Sequence, residues 1–510
     1  MKTLRSVRLW PIIAFLILAA CQMVYAAPAV TVKPTSGPPT TGITAQGSGF
    51  FAFEVVDVYF DTRDLVLSVT SETGGFSCSL KTPRSAIPGV HWITAVGRKS
   101  GSAAQKPFTV RSNWAMFRYG PQHNGFNPYE NVLSPSNVDE LNLAWSYTTD
   151  GLIFSSPAVA NGLVFVGSLA SAGGKLYALN AQTGAKRWDY TMEGGIDTSP
   201  AVANGLVYVG DDKLYALDAT TGAFKWSYDL GGGISSSPAV ANGVVYVVAT
   251  VNVGGYPVGK LCALDASTGA FHWSYTGGSH ILSSPAVVNG VVYVGCNDGK
   301  LYALNALTGA FQWSYAANDS ISSSPAVANG LVYVGSWGSK LYALNALTGA
   351  FQWSYTTGNG ITSSPAVANG LVYLGSNDGR LYALDALTGA FRWSYATASF
   401  ISSSPAGANG VVYVGSEDHM GFGHLYALNA QTGAMRWSYT TGGPISSSPA
   451  VTNGVVYVGS EDGILHAYSR DPQWVYGTII RQPDPAELIP DLRLEPQVGK
   501  GAVRSSEELK

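Results

Sequence analysis

The sequence predicts an all-β chain, an eight-bladed β-propeller preceded by a small β-sandwich. Three observations carry this reading. LYALNALTGAFQWSY at 301–315 returns letter for letter at 341–355 and as LYALDALTGAFRWSY at 381–395. Its tryptophan has counterparts at Trp145, Trp188, Trp226, Trp273, Trp313, Trp353, Trp393 and Trp437, spaced 38 to 47 residues apart, a tandem period in the propeller range. Each copy also divides into four strand-length runs separated by turn residues.

Bulk composition bounds the function. The chain has 510 residues, a formal net charge of −3, 12% charged residues and 60 glycines. That length suggests two or more domains with ample core material. Near-neutral charge supplies no field for nucleic acid or for an anionic membrane surface. Lys2, Arg5 and Arg8 precede an apolar run from Leu9 to Ala20, which is too short to span a bilayer and fits a signal peptide over 1–26. Two cleavage readings stand open. Leu18-Ala19-Ala20-Cys21 matches a bacterial lipobox, which would make Cys21 the lipidated first residue, while Val24 and Ala26 fit ordinary cleavage before Ala27. Either way the protein is expected to be exported, to the periplasm, the cell surface or the medium. Any membrane contact would come through that lipid anchor alone. Cys78, Cys262 and Cys296 remain after the signal, too few for a disulfide framework, and no CxxC or His/Cys cluster suggests zinc. A Cys262–Cys296 bridge and two isolated thiols both fit, and isolated thiols are expected.

Residues 27–111 form a distinct unit. Short apolar runs (VTVKP, GITAQGSGF, VVDVYF, GFSCSL, HWITAV, PFTV) are separated by Gly, Pro and Ser turns. Val56, Val58 and Phe60 alternate with Asp57, Tyr59 and Asp61, the pattern of a half-buried strand. Strands at this density suggest a small sandwich. Residues 112–142 are rich in Pro and Asn and show no sustained period. Trp114, Phe117 and Tyr119 predict that this linker docks along the propeller.

From Leu143 to Arg470 the repeat governs. ISSSPAVA reads as the innermost strand of each blade. Its proline (Pro157, Pro200, Pro238, Pro285, Pro325, Pro365, Pro405, Pro449) removes a ladder donor and suits an edge facing a central channel. Asn-Gly, as in Asn329-Gly330, signals a hairpin into LVYVG, which is apolar throughout like a strand covered on both faces. A turn such as Asn377-Asp378-Gly379 leads to LYAL. In the Asx-Ala-x-Thr-Gly turn that follows, Asn305 or Asp385 can bond the backbone two residues on. FQWSY is the outer strand, with Phe351, Trp353 and Tyr355 on one face and Gln352 and Ser354 on the other. Small residues inside and large ones outside describe a blade. Eight prolines mark eight inner strands and eight tryptophans mark eight outer ones. The first tryptophan, in LAWSYTT (143–149), precedes any inner strand, and the last copy stops after GILHAYS (463–469). Strand 143–149 must therefore complete the eighth blade and close the ring.

The phrase A-L-(N/D)-A-x-T-G-x-x-x-W resembles the tryptophan-docking motif, A-x-D-x-x-T-G-K-x-x-W, of the PQQ-like (quinoprotein dehydrogenase) eight-bladed propellers, and does so over 143–470. The resemblance implies that each tryptophan rivets adjacent blades. Residue by residue it sets Trp313 with Ala303 and Thr308-Gly309, and Trp353 with Ala343 and Thr348-Gly349. The family's lysine is alanine at Ala310, Ala350 and Ala390. Catalytic members of that family sandwich the quinone against a disulfide of adjacent cysteines and hold Ca²⁺ beside an aspartate base. This chain has no adjacent cysteines and no CxxCH haem motif. Its near-identical repeats also lack the position-specific residues that a single active site needs. No enzyme, catalytic residue, PQQ, Ca²⁺ or other metal is therefore expected. Within 27–111, GSGF and VDVYFD resemble the IPT/TIG-type immunoglobulin-like domains of bacterial surface proteins, which implies a spacer or binding module.

The expected function is that of an exported, monomeric, non-catalytic binding or scaffold protein of the cell envelope, its partner an envelope protein or a glycan. Two alternatives are an outer-membrane protein assembly factor of the propeller lipoprotein type, favoured by Cys21, and a PQQ-dependent dehydrogenase. The ligand face is expected where the repeat is broken, on the loops from outer to next inner strand and from second to third strand. Asp150, Glu193, Asp197, Asp211, Asp212, Asp229, His280, Trp337 and Phe400 lie there, with the insertions 249–259 and 417–423. Such carboxylates suit a cation or a basic partner, and such aromatics can stack on a sugar or a peptide. The Pro-rich tail 471–510 is expected to be partly disordered.

Overall fold

A computed structural model describes residues 27–170, 173–470 and 482–488. The signal peptide 1–26, the candidate lipidation site Cys21 and the expected disorder at the chain's end lie outside the described residues. No helix among those described is long and apolar enough to cross a membrane.

Residues 29–110 form two facing sheets. One holds Ala29–Lys33, Gly42–Ser48 and Phe76–Lys81. The other runs in the order Ser36–Gly37, Ala103–Val110, Gly89–Gly97, Val55–Phe60, Arg63–Val69. Val30, Ile43, Phe50, Val56, Val58, Phe60, Ile93 and Phe108 fill the space between them. The strand Val55–Phe60 departs from the half-exposed pattern, because Asp57 and Tyr59 are buried as well. Arg98 covers Asp57, donating from Nε and Nη2 at 2.8 Å each. Tyr59 is covered from 429 residues away, where its hydroxyl donates to Leu488 O at 2.9 Å. Gln105 Nε2 likewise donates to Pro483 O at 2.8 Å. The 482–488 segment thus lies over the outer face of the five-stranded sheet, a long-range contact that local alternation does not report.

Residues 142–470 form eight blades of four antiparallel strands, and the inner strand of the seventh also pairs, in parallel, with Phe126–Asn127 of the linker. Blade 5 shows the pattern, with an inner strand Ala326–Ala328, a second Leu331–Gly335, a third Lys340–Asn345 and an outer Phe351–Thr356. Asn329 and Gly330 take φ of 53° and 75°, the left-handed pair that a two-residue hairpin turn requires. The inner strands touch in cyclic order, and that of blade 8 (Ala450–Thr452) touches that of blade 1 (Ala158–Ala160), so the ring is closed. The outer strand of blade 8 is Asn142–Thr148, antiparallel to Ile464–Ser469. Inner strands are shorter than ISSSPAVA implies: only the three residues after the proline join the ladder, and the serines before it bond to the neighbouring blades.

The tryptophans bridge each blade to the next. Trp353 Nε1 donates to Ala386 O at 3.2 Å and Trp393 Nε1 to Ala430 O at 3.1 Å. The second-strand tyrosines reinforce the same carbonyls, as when Tyr333 Oη donates to Ala386 O at 2.9 Å. One assignment needs correction. Trp313 faces Ala303 across the sheet, but the glycine beneath its ring is Gly349 of the following blade, where a Cβ would meet the indole at 2.6 Å. Gly309 holds Trp273 in the same way, and Gly389 rather than Gly349 holds Trp353. The rivet joins motif n to motif n+1 because the outer strand of one blade lies over the turn of the next. Cys262 and Cys296 are buried free thiols in different core clusters, and burial pushes both up to about 11.

Candidate ligand face and plugged central channel

The ring has two unlike faces. The Asn-Gly hairpin face meets the sandwich and the linker. Arg111 Nη2 donates to Asn161 Oδ1 at 3.3 Å, and Asn409 Nδ2 donates to Leu133 O at 2.8 Å. Asn131 Nδ2 ties the linker to Ala86 O of the sandwich at 2.9 Å. A cavity of about 380 Å³ remains between the modules, bordered by Thr40 and Arg84 on one side and Asn369 and Asn409 on the other.

The linker fills the channel mouth on this side. Each inner strand is an edge, so its middle residue points an N–H at the axis, and linker carbonyls accept them in turn. Val159 N donates to Trp114 O at 2.7 Å, Val202 N to Ala115 O at 2.7 Å and Val287 N to Pro121 O at 2.6 Å. Val327 N donates to Gln122 O at 3.0 Å, Val367 N to Asn124 O at 2.8 Å and Gly407 N to Gly125 O at 2.7 Å. In blade 8, Val451 O accepts from Asn127 Nδ2 at 3.0 Å. The linker thus circles the axis and satisfies one edge after another. The circle is tight enough that Arg118, Tyr119 and His123 take φ of 58°, 80° and 52°. Glu130, also buried, accepts from Val132 N at 2.9 Å and from Leu133 N and Gly454 N at 3.0 Å each. Burial nonetheless raises its carboxyl above the usual range. Arg118 and His123 are buried without a hydrogen-bond partner for any side-chain nitrogen. Burial lowers the Arg118 guanidinium to about 9, and burial together with that neighbouring charge lowers His123 to about 3.

The opposite mouth is open and lined with serine. Ser156, Ser199, Ser237, Ser284, Ser324, Ser364, Ser404 and Ser448, one per blade, form a closed hydrogen-bonded circle. Each backbone N–H donates to the next blade's Oγ at 2.9 to 3.1 Å, and Ser448 N returns to Ser156 Oγ at 2.9 Å. Above the circle the mouth widens into a funnel of about 240 Å³, with Phe117 of the linker contributing to its lining. Phe154, Asp197 and Leu282 interrupt an otherwise Ser/Thr rim.

The expected ligand-face residues lie around this open mouth with unequal freedom. Asp197 stands on the rim, where the concave surroundings and then Asp211 raise its carboxyl. Asp211 is buried and accepts from Gly194 N at 2.8 Å. Glu193 and Asp212 are exposed beside it. Asp150 is engaged by Lys175 Nζ and Tyr177 Oη, each at 2.7 Å, and Asp229 caps its own turn through Gly231 N at 2.8 Å. His280 is half-buried, Phe400 is exposed, and Trp337 is half-exposed with Nε1 donating to Ser322 Oγ of the rim at 3.0 Å. Met420 and Phe422 of the 417–423 insertion and Tyr256 of the 249–259 insertion are exposed. Among the described residues, no group of three or more His, Cys, Asp or Glu is arranged to hold a metal ion. The serine circle is present in the sequence as the SSSP repeat, whose pattern alone reads as strand. Arg118 and His123 gave no signal, since nothing periodic marks them.

Eight tryptophan-riveted blades around a polar axial funnel define the PQQ-like class of propeller. A family model described as outer membrane protein assembly factor BamB matches residues 140–195, 172–319, 249–359, 316–404 and 398–483, and the chain belongs to that family. No curated protein sequence matches it. Among solved structures it is similar to BamB from Moraxella catarrhalis, with 23% identity over 64% of this chain and 97% of that one and a TM-score of 0.53. It is also similar to the quinohemoprotein alcohol dehydrogenase of Comamonas testosteroni (18% identity, 70% of this chain, 80% of that one, TM-score 0.61). The computationally designed Ika8 protein has the fold too (17% identity, 63% and 97%, TM-score 0.55). A shared fold does not choose among such different proteins.

Proposed function

We propose that this chain is an exported, non-catalytic scaffold of the cell envelope that holds a partner protein on its open face. The unequal use of the two faces carries this reading. The sandwich and linker occupy the hairpin face, which leaves the opposite face, with Asp197, Trp337, Phe400 and the two insertions, available to a partner. Membership of the BamB family supports an outer-membrane assembly protein as that partner. In this reading the immunoglobulin-like module is a spacer, and lipidation at Cys21 would tether it. The non-catalytic part is supported by the absence of adjacent cysteines and of CxxCH.

The test is affinity purification from envelopes of cells producing the full chain, with Trp337→Ala/Phe400→Ala in parallel. The expected result is co-purification of barrel-assembly proteins with the wild type, reduced several-fold in the double variant at an unchanged melting temperature. Equal recovery by both, or recovery by neither, would sink the open-face reading. Titration with PQQ and Ca²⁺ should leave absorbance and melting unchanged. A quinone band with dye-linked alcohol oxidation would overturn the non-catalytic assignment.

A further inference from the structure

We propose that the sealed centre of the channel binds a small monovalent anion of the halide class, held by Arg118 and His123. The inference is independent of the partner on the open face. Its first ground is the donor inventory. A guanidinium offers five N–H donors and no acceptor, and a neutral imidazole offers one donor and one acceptor. None of these nitrogens has a protein hydrogen-bond partner, and both side chains are buried. The second ground is charge. Arg118 stays protonated at neutral pH, and an isolated charge inside a protein is strongly unfavourable unless it is paired.

The described residues supply no carboxylate for that pairing. Arg118 is in none of the ion pairs. Glu130, the buried acid of the linker, is bound by the N–H groups of Val132, Leu133 and Gly454. A neutral His123 adds a donor without adding a second charge, which matches one negative charge. Water would satisfy donors but would leave the cation uncompensated.

The third ground is the backbone. Arg118, Tyr119 and His123 all take left-handed φ, which is unfavourable for residues other than glycine and recurs at ligand clamps. Two turns shape this segment, Tyr119 N to Met116 O at 3.0 Å and His123 N to Gly120 O at 2.9 Å, and both Arg118 and His123 are buried by it. Burial limits size. Phe117 meets His123 edge-on at 5.4 Å and also lines the funnel, whereas His123 itself is fully buried. A monatomic ion enclosed as the linker closes needs the least room beside two fully buried side chains, whereas a phosphate or an organic acid needs more.

The test uses the full chain purified with sodium bromide in place of chloride, crystallised, and measured at the bromine edge. The expected result is an anomalous peak within hydrogen-bonding reach of Arg118 that disappears in Arg118→Met. Anomalous peaks only at surface lysines, or water alone at Arg118, would overturn the proposal. A second measurement does not depend on the variant folding. Wild-type protein unfolded and refolded in chloride or bromide should melt several degrees higher than in gluconate at equal ionic strength, and identical melting in all three would also overturn it.

Discussion

Blades 5 and 8 have the same four strands but are assembled differently. Blade 5 is one continuous run, and its Trp353 is buried with Nε1 on Ala386 O. Blade 8 takes three strands from 450–469 and the fourth from 142–148. Between its third and outer strands there is no continuous chain, so it lacks the Ala-x-Thr-Gly turn that would receive the previous tryptophan. Trp437 of blade 7 is only half-buried and donates instead to Leu141 O at 2.9 Å. Leu133, Val138 and Leu141 join the core cluster there, and His466 and Tyr468 stand where blade 5 has Tyr342 and Leu344. Arg470 Nε adds an ion pair to Glu140 Oε2 at 2.8 Å. The motif builds a generic seam between blades, and the last seam is closed by residues that never repeat.

The comparison can be broken at its weakest join. Deleting 143–149 removes the outer strand of blade 8 together with Trp145, whose Nε1 donates to Ala181 O at 3.2 Å. The loss should exceed that of any single side chain and lower the melting temperature by many degrees. Unchanged melting would mean that the ring does not need its N-terminal strand. Next in size is Trp353→Ala, which empties a fully packed site and should cost about 3–5 kcal/mol in denaturant unfolding. Trp437→Ala, at the half-exposed seam, should cost less, about 2 kcal/mol. Equal costs would show that the non-repeated residues at Leu141 grip as tightly as the motif.

Legibility followed repetition. The prolines, Asn-Gly turns and tryptophans repeat because each blade solves the same packing problem, and they revealed the strands and the blade order. The partner of each tryptophan was misplaced by one motif, since a linear phrase does not show which copy its ring will cover. Asp57 and Tyr59 looked exposed because the groups that cover them, Arg98 and Leu488, lie far along the chain. The linker was legible only as something that docks. Its course is set by inner-strand N–H groups belonging to other blades, and its left-handed residues are Arg, Tyr and His rather than the glycines that would announce such a bend. For the open face, the sequence showed where the repeat is interrupted. It could not show that Lys175 already occupies Asp150 or that Trp337 reaches Ser322 on the rim.

The smallest expected effect is the sharpest test of the seam. In the serine circle the bond across blades 4 and 5, Ser284 N to Ser324 Oγ, is 2.9 Å, and the bond across blades 7 and 8, where Trp437 meets Leu141, is Ser404 N to Ser448 Oγ at 3.0 Å. At the axis, then, this seam is no looser than a generic one, even though at the rim Trp437 is only half-buried. Ser324→Ala leaves one buried N–H without its acceptor, a loss of about 1 kcal/mol that the open funnel lets water offset in part. Ser448→Ala should cost the same, because the bond it removes from Ser404 N is nearly the same length. A clearly smaller cost for Ser448→Ala would show that this seam is loose at the axis too. Equal costs, combined with a smaller penalty for Trp437→Ala than for Trp353→Ala, would confine the looseness to the rim, where the linker has replaced the motif.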